Sequence, residues 1–228
     1  MNYDTFIKGL QEYYEIYEKG LKKQANKYIE EFVKTISTWE TASLNEVLFQ
    51  YAKELCDDRY YGFMELGKRG NGRIPYVLDT YLRDYLYLKC LENKMPQLRW
   101  FYELYRHDKI GVEYAYEMLE KAYIHEMCDE KTVELLFDFW IEILSWGAHH
   151  FPEGCIISEE AMENAVINCK KIIAEKKVDE GRKAQLQYYE MLYSCYYKFV
   201  EEGRKRNFEE YCEEVNIELV YNKAYYYN

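Results

Sequence analysis

From Leu44 onward, apolar residues return at Val47, Leu48, Tyr51 and Leu55, the three- and four-residue steps that line one face of an α-helix. Ser43, with Glu46 three positions later, reads as a capping box opening that helix. The same period continues almost to the end of the chain, with start and stop residues between its segments. Pro75 and Pro96 sit at first-turn positions and open the stretches after them, and Asp108 is placed to cap the next. Asp129 caps a helix with Val133, Phe137, Trp140, Ile141 and Leu144 on one face, and Gly147 and Pro152 end it. Ser158 and Asp179 start two more helices, and Asn207 with Glu210 repeats the capping box for the last. No segment sustains the alternation of a strand, and three prolines and eleven glycines in 228 residues leave little material for the turns of a sheet protein. The pattern predicts an all-α chain, read as a single helical-repeat domain over residues 1–228.

Short links between most of these segments force neighbouring helices to be antiparallel, which gives a series of helical hairpins. Cys56, Cys90 and Cys128 each fall near a predicted helix end, at intervals close to one hairpin repeat. Leu98, Phe101, Tyr102 and Tyr105, followed by Ala115, Leu119 and Ala122, resemble the spaced packing positions of a tetratricopeptide repeat over residues 98–122. Leu98 and Tyr102 stand where that family usually has Trp and Gly, and the closing Pro is absent. The resemblance implies hairpins stacked as a right-handed α-α superhelix, an architecture that serves protein binding.

Charge then narrows the function classes. The net charge of −11 is unevenly spread: residues 1–117 carry 17 Lys and Arg against 19 Asp and Glu, and residues 164–228 carry eleven of each. Residues 118–163 hold only Lys121 and Lys131 against eleven carboxylates. So acidic a block repels a nucleic-acid backbone and suits a basic protein partner. Its centre is a ridge of Glu134, Asp138 and Glu142 along one helix face, extended by His149, with His150 next to it. Glu117, Glu120 and Tyr123 join the candidate binding surface from the preceding helix. Like charges four residues apart need compensation, which a metal, a basic partner or cations of a neighbouring helix would supply. The metal case would make Glu142, His149 and His150 ligands of a metal-dependent hydrolase on the helix of residues 129–149. The preferred reading is non-enzymatic: an acidic, tyrosine-edged module that binds a basic protein, as an inhibitor or immunity-type protein does.

"GFMELGKRGNGR", residues 62–73, has Gly62, Gly67 and Lys68 at the spacing of a phosphate loop. Its interior is bulky and acidic, Arg69 replaces the needed hydroxyl, and a helix pattern precedes it, so a basic loop without a nucleotide is expected. The seven cysteines contain no C-x-x-C pair and read as buried apolar residues in a reducing compartment, with no cofactor implied. The 27 tyrosines include adjacent pairs such as Tyr13-Tyr14 and Tyr196-Tyr197, and neighbours on a helix point about 100° apart, so both members of a pair rarely enter one core and some tyrosines are expected on grooves or between helices. The first residues lack a basic, then apolar leader, and "LLFDFWIEILSW" carries Asp138 and Glu142, so neither secretion nor a membrane span is expected and the cytoplasm is the predicted location.

Overall fold

A computed structural model describes residues 2–58, 74–107 and 112–219. The described residues are helical throughout, with no strand among them. They form two compact units, residues 1–127 and 128–228. The stretch at residues 62–73 and the expected cap Asp108 lie outside the described residues.

The first unit contains α1 (Tyr3–Glu18), α2 (Lys22–Ile36), α3 (Thr41–Lys53), α4 (Tyr76–Leu91), α5 (Gln97–Tyr105) and α6 (Val112–Ile124). The Asn2 side chain caps α1 by accepting from the Thr5 amide at 3.2 Å. Phe6, Gly9, Leu10, Tyr13 and Tyr14 form its buried stripe. A Cβ at Gly9 would stand 2.2 Å from Cε2 of half-buried Phe32 on α2, so a larger residue there would have to displace that ring. Tyr13 and Tyr14 are both buried, an arrangement that adjacent helical positions rarely allow, with rings edge-to-face at 5.0 Å. An apolar arc at least about 100° wide accepts two neighbours at its edges.

Helix α3 starts at Thr41 with Glu40 as its extended N-cap, which corrects the capping box at Ser43. The Leu44 amide already donates to the Glu40 carbonyl at 3.0 Å, so Ser43 lies within the first turn and cannot act as the non-helical cap residue. Pro75 and Pro96 sit one residue earlier than predicted, at the N-caps of α4 and α5. Beyond α3 a π-helical turn, Glu54–Asp58, points Asp57 at α5. Buried Arg99 donates to Asp57 at 2.8 Å and pairs with Glu103, while the Trp100 indole donates to the other Asp57 oxygen at 2.9 Å. The turn is thereby pinned to α5 by a satisfied polar cluster rather than by apolar contact alone. Helix α5 packs on α6, and Leu98, Phe101, Tyr102, Tyr105, Ala115, Leu119 and Ala122 are all buried.

The second unit contains α7 (Glu130–Gly147), α8 (Glu159–Glu175), α9 (Glu180–Glu201) and α10 (Phe208–Glu214). Three caps fall where the sequence put them: Asp129 accepts from the Thr132 amide at 2.8 Å, Ser158 from Ala161 at 3.1 Å and Asp179 from Arg182 at 3.0 Å. Asn207 precedes α10, but its side chain makes no capping bond, because the Glu210 amide donates to the Asn207 carbonyl instead. The predicted face Val133, Phe137, Trp140, Ile141 and Leu144 is buried and meets α8 and α9. Gly147 closes α7 where it touches α9. The Tyr193 hydroxyl donates to the Leu144 carbonyl at 2.9 Å and would stand 2.1 Å from any Cβ at position 147. Phe151 stacks flat on Tyr196 at 4.0 Å. Among the described residues no helix is long and apolar enough to cross a membrane.

Candidate partner-binding site

The acidic ridge exists as geometry, and the second unit supplies part of its own counter-charge. Glu134 and Asp138 lie one turn apart on α7, facing the first turn of α9. There Arg182 spreads its guanidinium over both: Nε and Nη2 donate to the two Asp138 oxygens at 2.8 and 2.9 Å, and Nη1 stands 3.2 Å from Glu134. Nη1 also donates to Asp179, the cap of its own helix, at 2.7 Å. Planar two-point recognition of a carboxylate suits arginine and is beyond lysine. The hydrogen bonds from Arg182 hold Asp179 below the ordinary carboxylate range. Of the three compensations considered for the ridge, a cation from a neighbouring helix is thus present for Glu134 and Asp138. Glu142, one turn further on, is exposed.

Arg182 escaped the sequence reading because its partner lies 44 residues away. A signal was nonetheless available. An arginine three residues after an N-cap opposes the positive end of the helix dipole, an arrangement that needs carboxylates close by.

Beside Arg182 opens a pocket of about 130 Å³. Val133, Phe137 and Val178 provide its apolar lining, and Glu130, Glu134, Asp179, Lys177 and Arg182 its polar one. Past α7 the ridge does not continue as a helix face. Gly147 is followed by a 3₁₀ turn, Ala148–His150, and His149 stacks on exposed Trp146 with ring centroids 5.9 Å apart. The register that placed His149 in line with Glu134, Asp138 and Glu142 is lost at that turn. Among the described residues, no three His, Cys, Asp or Glu side chains are grouped so that they could hold a metal ion.

The remaining candidates lie on α6 of the first unit. Glu117 and Glu120 are exposed, and Glu120 accepts from the Tyr116 hydroxyl at 2.9 Å. Tyr123 is 7% exposed, so its ring packs in the core instead of edging a surface. Tyr197 of α9 also lies among carboxylates. It is half-buried, and desolvation with Cys155, Glu159 and Glu163 nearby pushes its hydroxyl up to about 12. Cys56, Cys90, Cys169, Cys195 and Cys212 are buried and Cys128 and Cys155 half-buried, all as free thiols. Burial pushes Cys90, Cys169 and Cys212 up to about 12, which leaves them inert rather than nucleophilic.

Comparison of the chain with protein-family models, with curated proteins and with solved structures found no match.

Proposed function

We propose that this chain is a non-enzymatic protein-binding module that presents a carboxylate face to a basic protein partner. One observation carries the reading. In residues 128–163, Glu130, Glu153, Glu159, Glu160 and Glu163 are exposed, Lys131 is the single Lys or Arg of that stretch, and Arg182 is already engaged by Asp138, Asp179 and Glu134. The surface therefore stays acidic after the internal pairing is counted. Uncompensated charge of one sign speeds encounter with an opposite partner and rejects like-charged ones. Tyr197, beside Glu159 and Glu163, supports the tyrosine-edged character of the face, and Tyr116 with Glu120 repeats that pairing on α6.

The particular form proposed is an inhibitor or immunity-type protein that neutralises a basic enzyme such as a nuclease by charge complementarity. Helical hairpins in the manner of tetratricopeptide repeats are the proposed scaffold, supported by the packing of α5 on α6 through seven buried positions. A reducing compartment such as the cytoplasm is the proposed location, supported by seven free thiols. The test is a binding panel of small nuclease domains, basic and acidic, measured by biolayer interferometry. One-to-one binding confined to basic members supports the reading; equal binding to acidic and basic members, or to none, rejects it.

A further inference from the structure

We infer that the pocket beside Arg182 receives one lysine or arginine side chain from the basic partner. This rests on the proposed acidic binding face and assigns it a central contact. The pocket lies wholly within the second unit, between α7 and the segment Lys177–Arg182 that leads into α9.

Three properties select the occupant. The first is size. About 130 Å³ is far below the 300–1,000 Å³ typical of cofactor and drug-sized ligands. A single side chain fits this volume. The second is the lining: Val133, Phe137 and Val178 offer an apolar wall within a charged rim. Lysine and arginine match that arrangement, since their methylene stems bury against apolar surface while the charged head stays at a polar edge.

The third is charge. Glu130, Glu134 and Asp179 line the pocket and Asp138 lies behind them on Arg182, against Arg182 and Lys177 as the cations. Arg182 has its Nε, Nη1 and Nη2 directed at Asp138, Asp179 and Glu134. Glu130 forms no ion pair among the described residues, and the Glu134 contact with Arg182, at 3.2 Å, is longer than those of Asp138 and Asp179. The uncommitted charge is thus carboxylate, with exposed Lys177 as its one opponent at the rim. An acidic side chain would find Arg182 already engaged and Glu130 repelling it. A cation finds the carboxylates of Glu130 and Glu134 in the lining.

The test is an NMR titration of the intact ¹⁵N-labelled chain with short lysine-rich, arginine-rich and glutamate-rich peptides of matched length. Saturable shifts at the amides of Glu130, Val133, Phe137 and Val178 are expected with the lysine- or arginine-rich peptide. Partly exposed ion pairs set the size of the variant effects. Glu130→Gln weakens binding about two- to fivefold, and Lys177→Gln strengthens it by a similar factor. Both residues are exposed, so the variants fold normally, and opposite signs from two surface changes do not arise from a general loss of structure. Basic-peptide shifts centred on Glu153–Glu163 and indifferent to Glu130→Gln would overturn the pocket while leaving an acidic binding face. No binding of either basic peptide would remove both. Saturable entry of the glutamate-rich peptide at these amides would reverse the assigned charge.

Discussion

Replacing Arg182 by methionine keeps most of the stem and removes the fork that joins α9 to α7. The Arg182 side chain is 22% exposed, and its partners Asp138 and Glu134 are 37% and 41% exposed. Fully exposed ion pairs contribute about 0.2–1 kcal/mol, whereas breaking a buried pair costs about 3–5 kcal/mol. Arg182 and its partners lie between those limits. The two-point contact with Asp138, at 2.8 and 2.9 Å, accounts for roughly 1–2 kcal/mol, and the longer Glu134 contact adds a few tenths. A destabilisation of about 2 kcal/mol follows, a Tm lower by roughly 4–8 °C for a chain of this length. Arg182→Lys should recover less than half, because an ammonium cannot donate in parallel to both oxygens of Asp138. Denaturant unfolding of Arg182→Met, Asp138→Asn and the double variant closes a cycle whose coupling should be about 1 kcal/mol. A loss under about 0.5 kcal/mol with no coupling would show that the fork is an incidental surface contact.

Three further outcomes follow from the same geometry. Asp179 has a folded pKa below its ordinary 3.8, so its stabilising effect is complete above that value and disappears as pH falls through the lower one; acid titration of stability should be flatter in that window for Arg182→Met than for the parent protein. Gly147→Ala should destabilise by roughly 2–3 kcal/mol in urea unfolding, because the added Cβ meets the Tyr193 hydroxyl and the Ile157 side chain at 2.1–2.6 Å, and a loss below about 0.5 kcal/mol would contradict that contact. Cys90, Cys169 and Cys212, pushed up to about 12, should hold thiolate fractions on the order of 10⁻⁴ at pH 8 and resist iodoacetamide until the protein is unfolded, as peptide mass mapping would reveal.

What the sequence made legible was local. Asp129, Ser158 and Asp179 cap helices through bonds to residues three positions away, so a short window contains the whole interaction. The buried stripe of α7 follows equally from its own period. Ser43 misled because the Glu40 carbonyl had already begun the helix, a competition that residue type does not reveal. His149 misled because a helix face was extended past Gly147 into a 3₁₀ turn of different pitch. Tyr123 carries a polar tip, but the packing of its helix decides its exposure. Asp57, Arg99 and Trp100 meet across more than forty residues, and so do Asp138 and Arg182. No periodicity encodes such pairs.

In the proposed function an acidic surface recruits a basic protein by long-range attraction. The most direct measurement is the association rate with the tightest-binding basic nuclease of the panel, by stopped flow, across ionic strength. The variant for comparison is Glu142→Gln/Glu153→Gln/Glu159→Gln/Glu163→Gln, which removes exposed charge and leaves the carboxylates on Arg182 in place. The parent chain should lose at least about tenfold in rate between roughly 20 and 200 mM salt, as the screening length shrinks. The variant should start lower and vary much less. A rate independent of salt, and equal in parent and variant, would contradict the account.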